Sequence, residues 1–134
     1  MGVVRFEDLR VWQAAKGLCD EIGALIQRPS LQSDHAIRTQ LNSASLSTMA
    51  NIAEGFMRGG SKEFAQFVRI AAGSNAEVRA LLHAAFGRKY LDKTEYERLV
   101  EMTQSIGRML RVLEQRLRAP RPGAAPSTEK PPGT

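Results

Sequence analysis

The amino-acid sequence predicts an all-α fold, an antiparallel up-down-up-down four-helix bundle over residues 1–118. Three observations carry this prediction. Apolar side chains recur at three- and four-residue steps through four long runs, the spacing of one helix face. Chain breakers are confined: Pro120, Pro122, Pro126, Pro131 and Pro132 all lie in the last fifteen residues, and only Pro29 precedes them. No run alternates with period two, and aromatics are only 6% of the residues, which suits helices packed through Leu, Ile and Ala.

The first helix is expected over Glu7 to Gln27, with Leu9, Trp12, Cys19, Ile22 and Ile26 on one stripe. Pro29 and Ser30 punctuate the loop that follows. The second helix is expected over Asp34 to Met57, capped by Ser33, with Ile37, Leu41, Ala44, Thr48 and Ile52 inward. After Gly59-Gly60, a Ser61 cap starts the third, over Lys62 to Arg88. Its residues Phe64, Phe67, Ala71, Ser74, Val78, Leu81 and Ala85 alternate by three and four, a heptad seam. The fourth opens with a capping box, Asp92 and Glu95, and a hydrophobic staple, Leu91 and Tyr96. Leu99, Ile106, Leu110, Leu113 and Leu117 continue its apolar face. Helices of about 20–27 residues span about 30–40 Å, so their lengths match. Residues 119–134 read as a Pro-rich tail too polar to pack, expected to be disordered.

Composition narrows the function classes. The 134 residues are 43% hydrophobic and 25% charged, enough for one packed domain. No stretch of about 18 apolar residues occurs, so no membrane helix is expected. The first ten residues carry charges without an apolar run, so a secretory signal is not expected. Cys19 is the only cysteine, which excludes an intrachain disulfide. These features point to a cytoplasmic protein. The net charge of +5 and pI near 9.9 favour acidic partners, nucleic acid among them; solubility alone is the alternative.

Catalytic and cofactor chemistry finds little material. His35 and His83 fall on different helices without metal-ligand spacing, so neither a metal nor any cofactor is expected. Gly59-Gly60-Ser61-Lys62 lacks phosphate-loop spacing and a preceding strand. A weak anion site at the following helix N-terminus remains open. Cys19 and Trp12 read as core residues. Asn51 and Glu54 interrupt an apolar stretch, and Arg58 lies four residues after Glu54 in the favourable order. We read Asn51, Glu54 and Gly55 as a structural polar motif, because no second group supports acid–base chemistry at Glu54. Gly55 and Gly73 serve either close helix approach or, for Gly55, unwinding toward Gly59.

Basic residues supply the candidate working surface. The predicted topology brings Arg5, Arg10, Arg58, Lys62, Arg116, Arg118 and Arg121 to one end. Arg108, Arg111 and Arg118 share a stripe of the last helix. The expected nucleic-acid contacts are therefore Arg5, Arg10, Arg58, Lys62, Arg108, Arg111, Arg116 and Arg118. Leu46, Met49, Phe56 and Met57 exceed what one core-facing stripe requires, and predict an intersubunit face.

Three segments carry a family resemblance. They are Phe6-Glu-Asp-Leu-Arg-Val-Trp-Gln13; Asn51-Ile-Ala-Glu-Gly55 followed by Arg58, Ser61 and Lys62-Glu-Phe64; and Phe67-Val-Arg-Ile-Ala-Ala-Gly-Ser74 with Glu77, Tyr90-Leu91 and Glu95-Tyr96. Over about residues 6–117 the chain resembles the four-helix-bundle proteins encoded in intervening sequences of bacterial 23S ribosomal RNA genes. That family includes the accessory variability determinant proteins of diversity-generating retroelements. The resemblance implies a non-catalytic, ring-like homopentamer, with RNA or DNA as partner. By the retroelement branch it also implies a reverse transcriptase as a partner. Two positions depart from the pattern. Ser47-Thr48-Met49 replaces the Ser-Ile-Pro common in relatives, and Lys89 replaces a glycine, removing an easy left-handed helix cap.

Overall fold

A computed structural model describes residues 2–120, which are helical with no strand among them. A 3₁₀ turn (Phe6–Asp8) leads into α1 (Arg10–Leu25). A single turn, α2 (Pro29–Gln32), precedes α3 (His35–Met57), α4 (Ser61–Gly87) and α5 (Lys93–Arg118). The expected tail lies outside the described residues from 121 onward. No described helix is long and apolar enough to cross a membrane.

The four long helices form a bundle in which α1 touches α3 and α5, and α4 lies between α3 and α5. Cross-helix pairs give the directions. Asp34 meets Arg88, and Ser47 Oγ lies 2.8 Å from Ser74 Oγ, so α3 and α4 run antiparallel. Tyr96 meets His83, Asn75 meets Thr103 and Arg69 meets Glu114, so α4 and α5 do too. The core is contiguous, with Leu18 and Ile22 of α1, Leu41 and Ile52 of α3, Val68 and Leu82 of α4, and Ile106 and Leu110 of α5 at its centre. Each such side chain contributes about 1.5–3 kcal/mol on burial.

Two stripes differ from expectation. In α1 the buried seam is Val11, Ala15, Leu18, Ile22 and Leu25; Leu9, Trp12 and Cys19 are half-buried. The close approach of two helices selects Ala15, whereas the Trp12 indole fits the seam's edge, edge-on to Phe6 at 5.2 Å. In α4 the buried set is Ala65, Val68, Ala71, Asn75, Val78, Leu82 and Ala85. Phe64, Phe67 and Ser74 lie on its flank toward α3. A helix between two neighbours needs an apolar sector wider than one seam.

Helix starts also differ. Asp34, not Ser33, caps α3: its Oδ1 accepts the Ile37 N–H at 3.3 Å, while Ser33 Oγ donates to Ser30 O. Gly60, not Ser61, occupies the cap position of α4, without a side-chain bond. Asp92 caps α5 as expected, accepting the Glu95 N–H at 2.8 Å. The Glu95 carboxylate instead pairs with Arg28, so the capping box is half formed. Lys89, at φ 66°, takes the left-handed position itself. Its N–H donates to Phe86 O and that of Tyr90 to Ala85 O, the Schellman pattern that closes α4.

Candidate nucleic-acid interface

The predicted polar motif has a packing role. Glu54 is exposed and pairs with Arg58 at 2.9 Å. Asn51 Nδ2 donates to Ser47 O at 2.8 Å and to Ser47 Oγ at 3.0 Å. Ser47 Oγ in turn meets Ser74 Oγ, so Asn51 ties α3 to α4 through Ser47. Gly55 is buried, and a Cβ there would stand 2.5 Å from Phe67 Cβ and 2.9 Å from Phe64 Cδ1. Close helix approach is therefore its use, and α3 continues to Met57 without unwinding at Gly55. Gly73 is exposed with nothing near, so the close approach expected there is absent.

Six of the eight predicted basic residues line three clefts, and Arg5 and Arg58 line none of these. Lys62 in the first turn of α4 meets Arg116 and Arg118 in the last turn of α5, around an open cleft of about 560 Å³. Around the corner, Arg10, Arg108 and Arg116 border a groove of about 680 Å³ whose walls include Val3, Leu9, Val11, Met109 and Val112. Arg108 and Arg111 also line a third groove, of about 410 Å³, on the α4–α5 flank. It lies away from the tip, because seven to ten residues of helix separate these arginines from Arg118, about 10–15 Å.

Several of these cations are already engaged. Arg58 is bound to Glu54, with its guanidinium 5.3 Å above the Phe67 ring. Arg118 meets Glu114 at 2.9 Å, Arg108 meets Glu101 at 3.1 Å and Arg5 meets Glu7 at 3.4 Å. Arg10, Lys62, Arg111 and Arg116 make no ion pair with a described carboxylate. Exposed pairs of this kind are worth about 0–1 kcal/mol, so a phosphate can displace them.

The opposite end, called the closed end below, joins its helices through ion pairs, although Lys89 and Lys93 there make none with a described carboxylate. Asp34 accepts from Arg88 Nη1 at 2.6 Å and from the Tyr90 hydroxyl at 2.7 Å. The Tyr90 hydroxyl, the Arg88 guanidinium and the Ile37 N–H hold the Asp34 carboxyl below its ordinary range. Asp34 in turn pushes the Tyr90 phenol up. Arg28 forks onto Glu95, and Arg98 meets Glu21 at 3.0 Å.

Of the predicted interface residues, Leu46 and Met57 are exposed, Met57 by 67%. Met49 packs against the core, and Phe56 sits edge-on to Phe64 at 5.9 Å. These two are accounted for within the chain. Among the described residues no group of three or more His, Cys, Asp or Glu could hold a metal ion. His35 meets Arg38, and His83 meets Tyr96.

Residues 7–112 match the family described as 23S rRNA-intervening sequence protein. The chain belongs to this family. Among solved structures it is similar to a protein of unknown function from the S23 ribosomal protein family of Bacteroides thetaiotaomicron VPI-5482. That likeness has a TM-score of 0.72 at 18% identity, over 78% of this chain and 98% of that one, and it concerns the fold. No curated protein matches the chain significantly. The family match ends before Arg116 and Arg118, so the α5 side of the basic cleft lies beyond the matched segment.

Sequence reasoning did not find Arg79 or Asn75, which share the third groove with Arg108 and Arg111. Their meeting depends on the register of α4 against α5. The Asn75–Thr103, His83–Tyr96 and Arg69–Glu114 pairings reveal that register, and no local pattern signals it.

Proposed function

We propose that this protein is a non-catalytic, oligomeric scaffold of the intervening-sequence family that binds RNA or DNA through its basic end. The observation that carries the reading is the convergence of Lys62, Arg116 and Arg118 from two helices on one open cleft, with Arg10 beside it. Dipole matching favours arginines in the last turn of α5, but it does not account for Lys62 at the start of α4. Phosphates are the ligand that such cations fit, and their contribution falls steeply with salt.

Oligomerisation is supported by α3. Residues 39–53 of this helix contain no charged side chain, although Thr39, Ser43, Leu46 and Ala50 are exposed. A helix without a charged outer face belongs against another surface. A ring would repeat the basic end around its axis and add weak contacts together. The number five and the retroelement connection rest on the resemblance, and a cytoplasmic setting rests on composition.

The test is filter binding or fluorescence anisotropy with short RNA and DNA across a salt series. Binding that weakens linearly with the logarithm of salt, with a smaller slope for K62E/R116E/R118E, is expected. No binding at low salt overturns the reading. For assembly, light scattering is expected to give an oligomer that L46E/M57E dissociates.

A second reading has its own observation. The apolar groove beside the basic end, with Met109 and Val112 exposed within it, suits a protein partner. A reverse transcriptase is the candidate by resemblance. Co-purification, and a reverse transcriptase gene beside this one, would favour it; a position inside a ribosomal RNA operon with no such neighbour would count against it.

A further inference from the structure

The third groove, between α4 and α5, has features that a solvated helix surface does not need. Its lining includes three arginines, Arg79, Arg108 and Arg111, and no carboxylate. Arg79 and Arg111 make no ion pair with a described residue. Arg108 holds only the exposed Glu101, a pair that solvent and salt screen strongly. Small residues and Gly107 keep the groove open, so three guanidinium groups border a space of about 410 Å³. That volume falls within the range of small-molecule sites, roughly 300–1,000 Å³, and exceeds what a lone phosphate requires.

Asn75 is the second feature. It lines the same groove but is 96% buried, since only 4% of its surface remains exposed. Its Nδ2 donates to the Thr103 carbonyl at 2.8 Å. That bond fixes the amide's orientation, because the flipped form would set oxygen against oxygen. Asn75 Oδ1 is then a buried acceptor with no hydrogen-bond partner. An unpaired buried acceptor is costly, and native interiors rarely leave one. Gly107 faces this amide; a Cβ there would stand 3.5 Å from Asn75 Nδ2.

Arginine donors around the groove and an unpaired, buried acceptor on one of its lining residues call for a ligand with an anionic end and a donor-bearing body. We propose that the α4–α5 groove binds a nucleoside monophosphate unit, with Arg79, Arg108 and Arg111 on the phosphate and Asn75 Oδ1 accepting from an amino or hydroxyl group of the nucleoside. The unit comes either from a free mononucleotide or from one residue of a strand. Arg forks match phosphate oxygens in geometry as well as charge. The inference stands apart from the basic cleft, because none of its residues lines that cleft. Gln104, also in the groove, has a free amide for a second contact to the nucleoside.

The experiment is calorimetric titration of the full chain with the four nucleoside 5′-monophosphates, their unphosphorylated nucleosides and inorganic phosphate. At least one monophosphate is expected to bind about tenfold or more tightly than its nucleoside and than phosphate. R79Q/R111Q is expected to lose about tenfold or more of that affinity. Gly107→Leu, which raises helix propensity while filling the groove, is expected to lose it as well. K62E/R116E/R118E is expected to leave it unchanged, which separates this site from the basic cleft. Circular dichroism melts confirm that each variant is folded. An eight-residue oligonucleotide that displaces the mononucleotide from K62E/R116E/R118E makes a strand the source; failure to displace it makes the free nucleotide the source. The proposal is overturned if every monophosphate binds no better than inorganic phosphate. It is also overturned if the groove variants bind as the unaltered chain does.

Discussion

The two ends of the bundle handle charge in opposite ways. At one, Asp34 collects Arg88, Tyr90 and a helix N–H, and Arg28 forks onto Glu95. At the other, Lys62, Arg10 and Arg116 make no ion pair with a described carboxylate. The basic end is held by packing instead: Gly55 against Phe67 and Phe64, and Phe56 edge-on to Phe64. One end therefore joins helices through paired charges, whereas the other leaves Lys62, Arg10 and Arg116 without such pairs. The difference teaches that charge placement alone does not mark a binding surface; what distinguishes the basic end is that Lys62, Arg10 and Arg116 border its clefts without an ion pair, while Arg118 and Arg58 hold only a glutamate four residues earlier on their own helix.

The largest effect that can break this comparison is charge reversal at the basic end. K62E/R116E/R118E should weaken RNA or DNA binding on the order of 100-fold near physiological salt, measured by anisotropy. Removing Arg28 and Arg88 at the closed end should leave binding within about twofold, although these changes also delete positive charge. Equal losses from both ends would mean that only net charge matters. The next largest effect concerns what holds the basic end. Gly55→Val forces a branched side chain into space that Phe67 Cβ already occupies at 2.5 Å from the ideal Cβ. A loss of about 2–3 kcal/mol in urea unfolding is expected, and a neutral result would mean that α3 and α4 separate easily there.

Asp34 tests the other end. Its folded-state pKa is held below the unfolded value, about 3.9, so its contribution is complete above that value and is lost as pH falls through the folded value. Tyr90 has the opposite sign. Its folded value is raised, so its contribution is present below about pH 10 and is lost as pH rises through the folded value. The Asp34–Tyr90 contact thus operates fully between about pH 5 and pH 9. Asp34→Ala should lower the melting temperature by roughly 3–6 °C in that window, with the difference shrinking below about pH 4. A difference constant from pH 3 to pH 7 would remove the carboxylate from the explanation.

Periodicity made the four long helices legible, and the Asp92 cap was readable from four residues. Its partner Glu95 was not: a capping-box glutamate can turn toward the helix or toward a neighbour, and Arg28 lies 67 positions away in the chain. The same limit explains α1 and α4. Spacing finds an apolar face, but side-chain size decides which of its residues enter the seam, so Ala15 displaced Trp12. The basic cleft followed from topology and was legible in outline. The expectation put Arg108 and Arg111 in one set with the tip residues, whereas the structure puts them beside Arg79. That grouping depends on helix register, which no local pattern encodes.

The smallest effect concerns the turn that joins the closed end to α5. Lys89 holds φ 66°, a conformation that costs an L-residue about 1–2 kcal/mol, while its N–H and that of Tyr90 complete the cap of α4. Lys89→Gly removes that strain. Two terms oppose the gain. Glycine loses more backbone freedom on folding, about 0.4–1 kcal/mol, and the lysine cation interacts favourably with the C-terminal end of the α4 dipole. The net stabilisation should be about 0.5 kcal/mol, a rise of a few degrees at most in melting temperature. Lys89→Ala separates the terms, because it removes the charge and keeps the strain. It should be no more stable than the lysine chain. If Lys89→Ala gained as much as Lys89→Gly, the charge rather than the backbone would be what destabilises this turn. Lys89, which makes no ion pair with a described carboxylate, would then be an unfavourable cation at the closed end, and the contrast between the two ends would narrow.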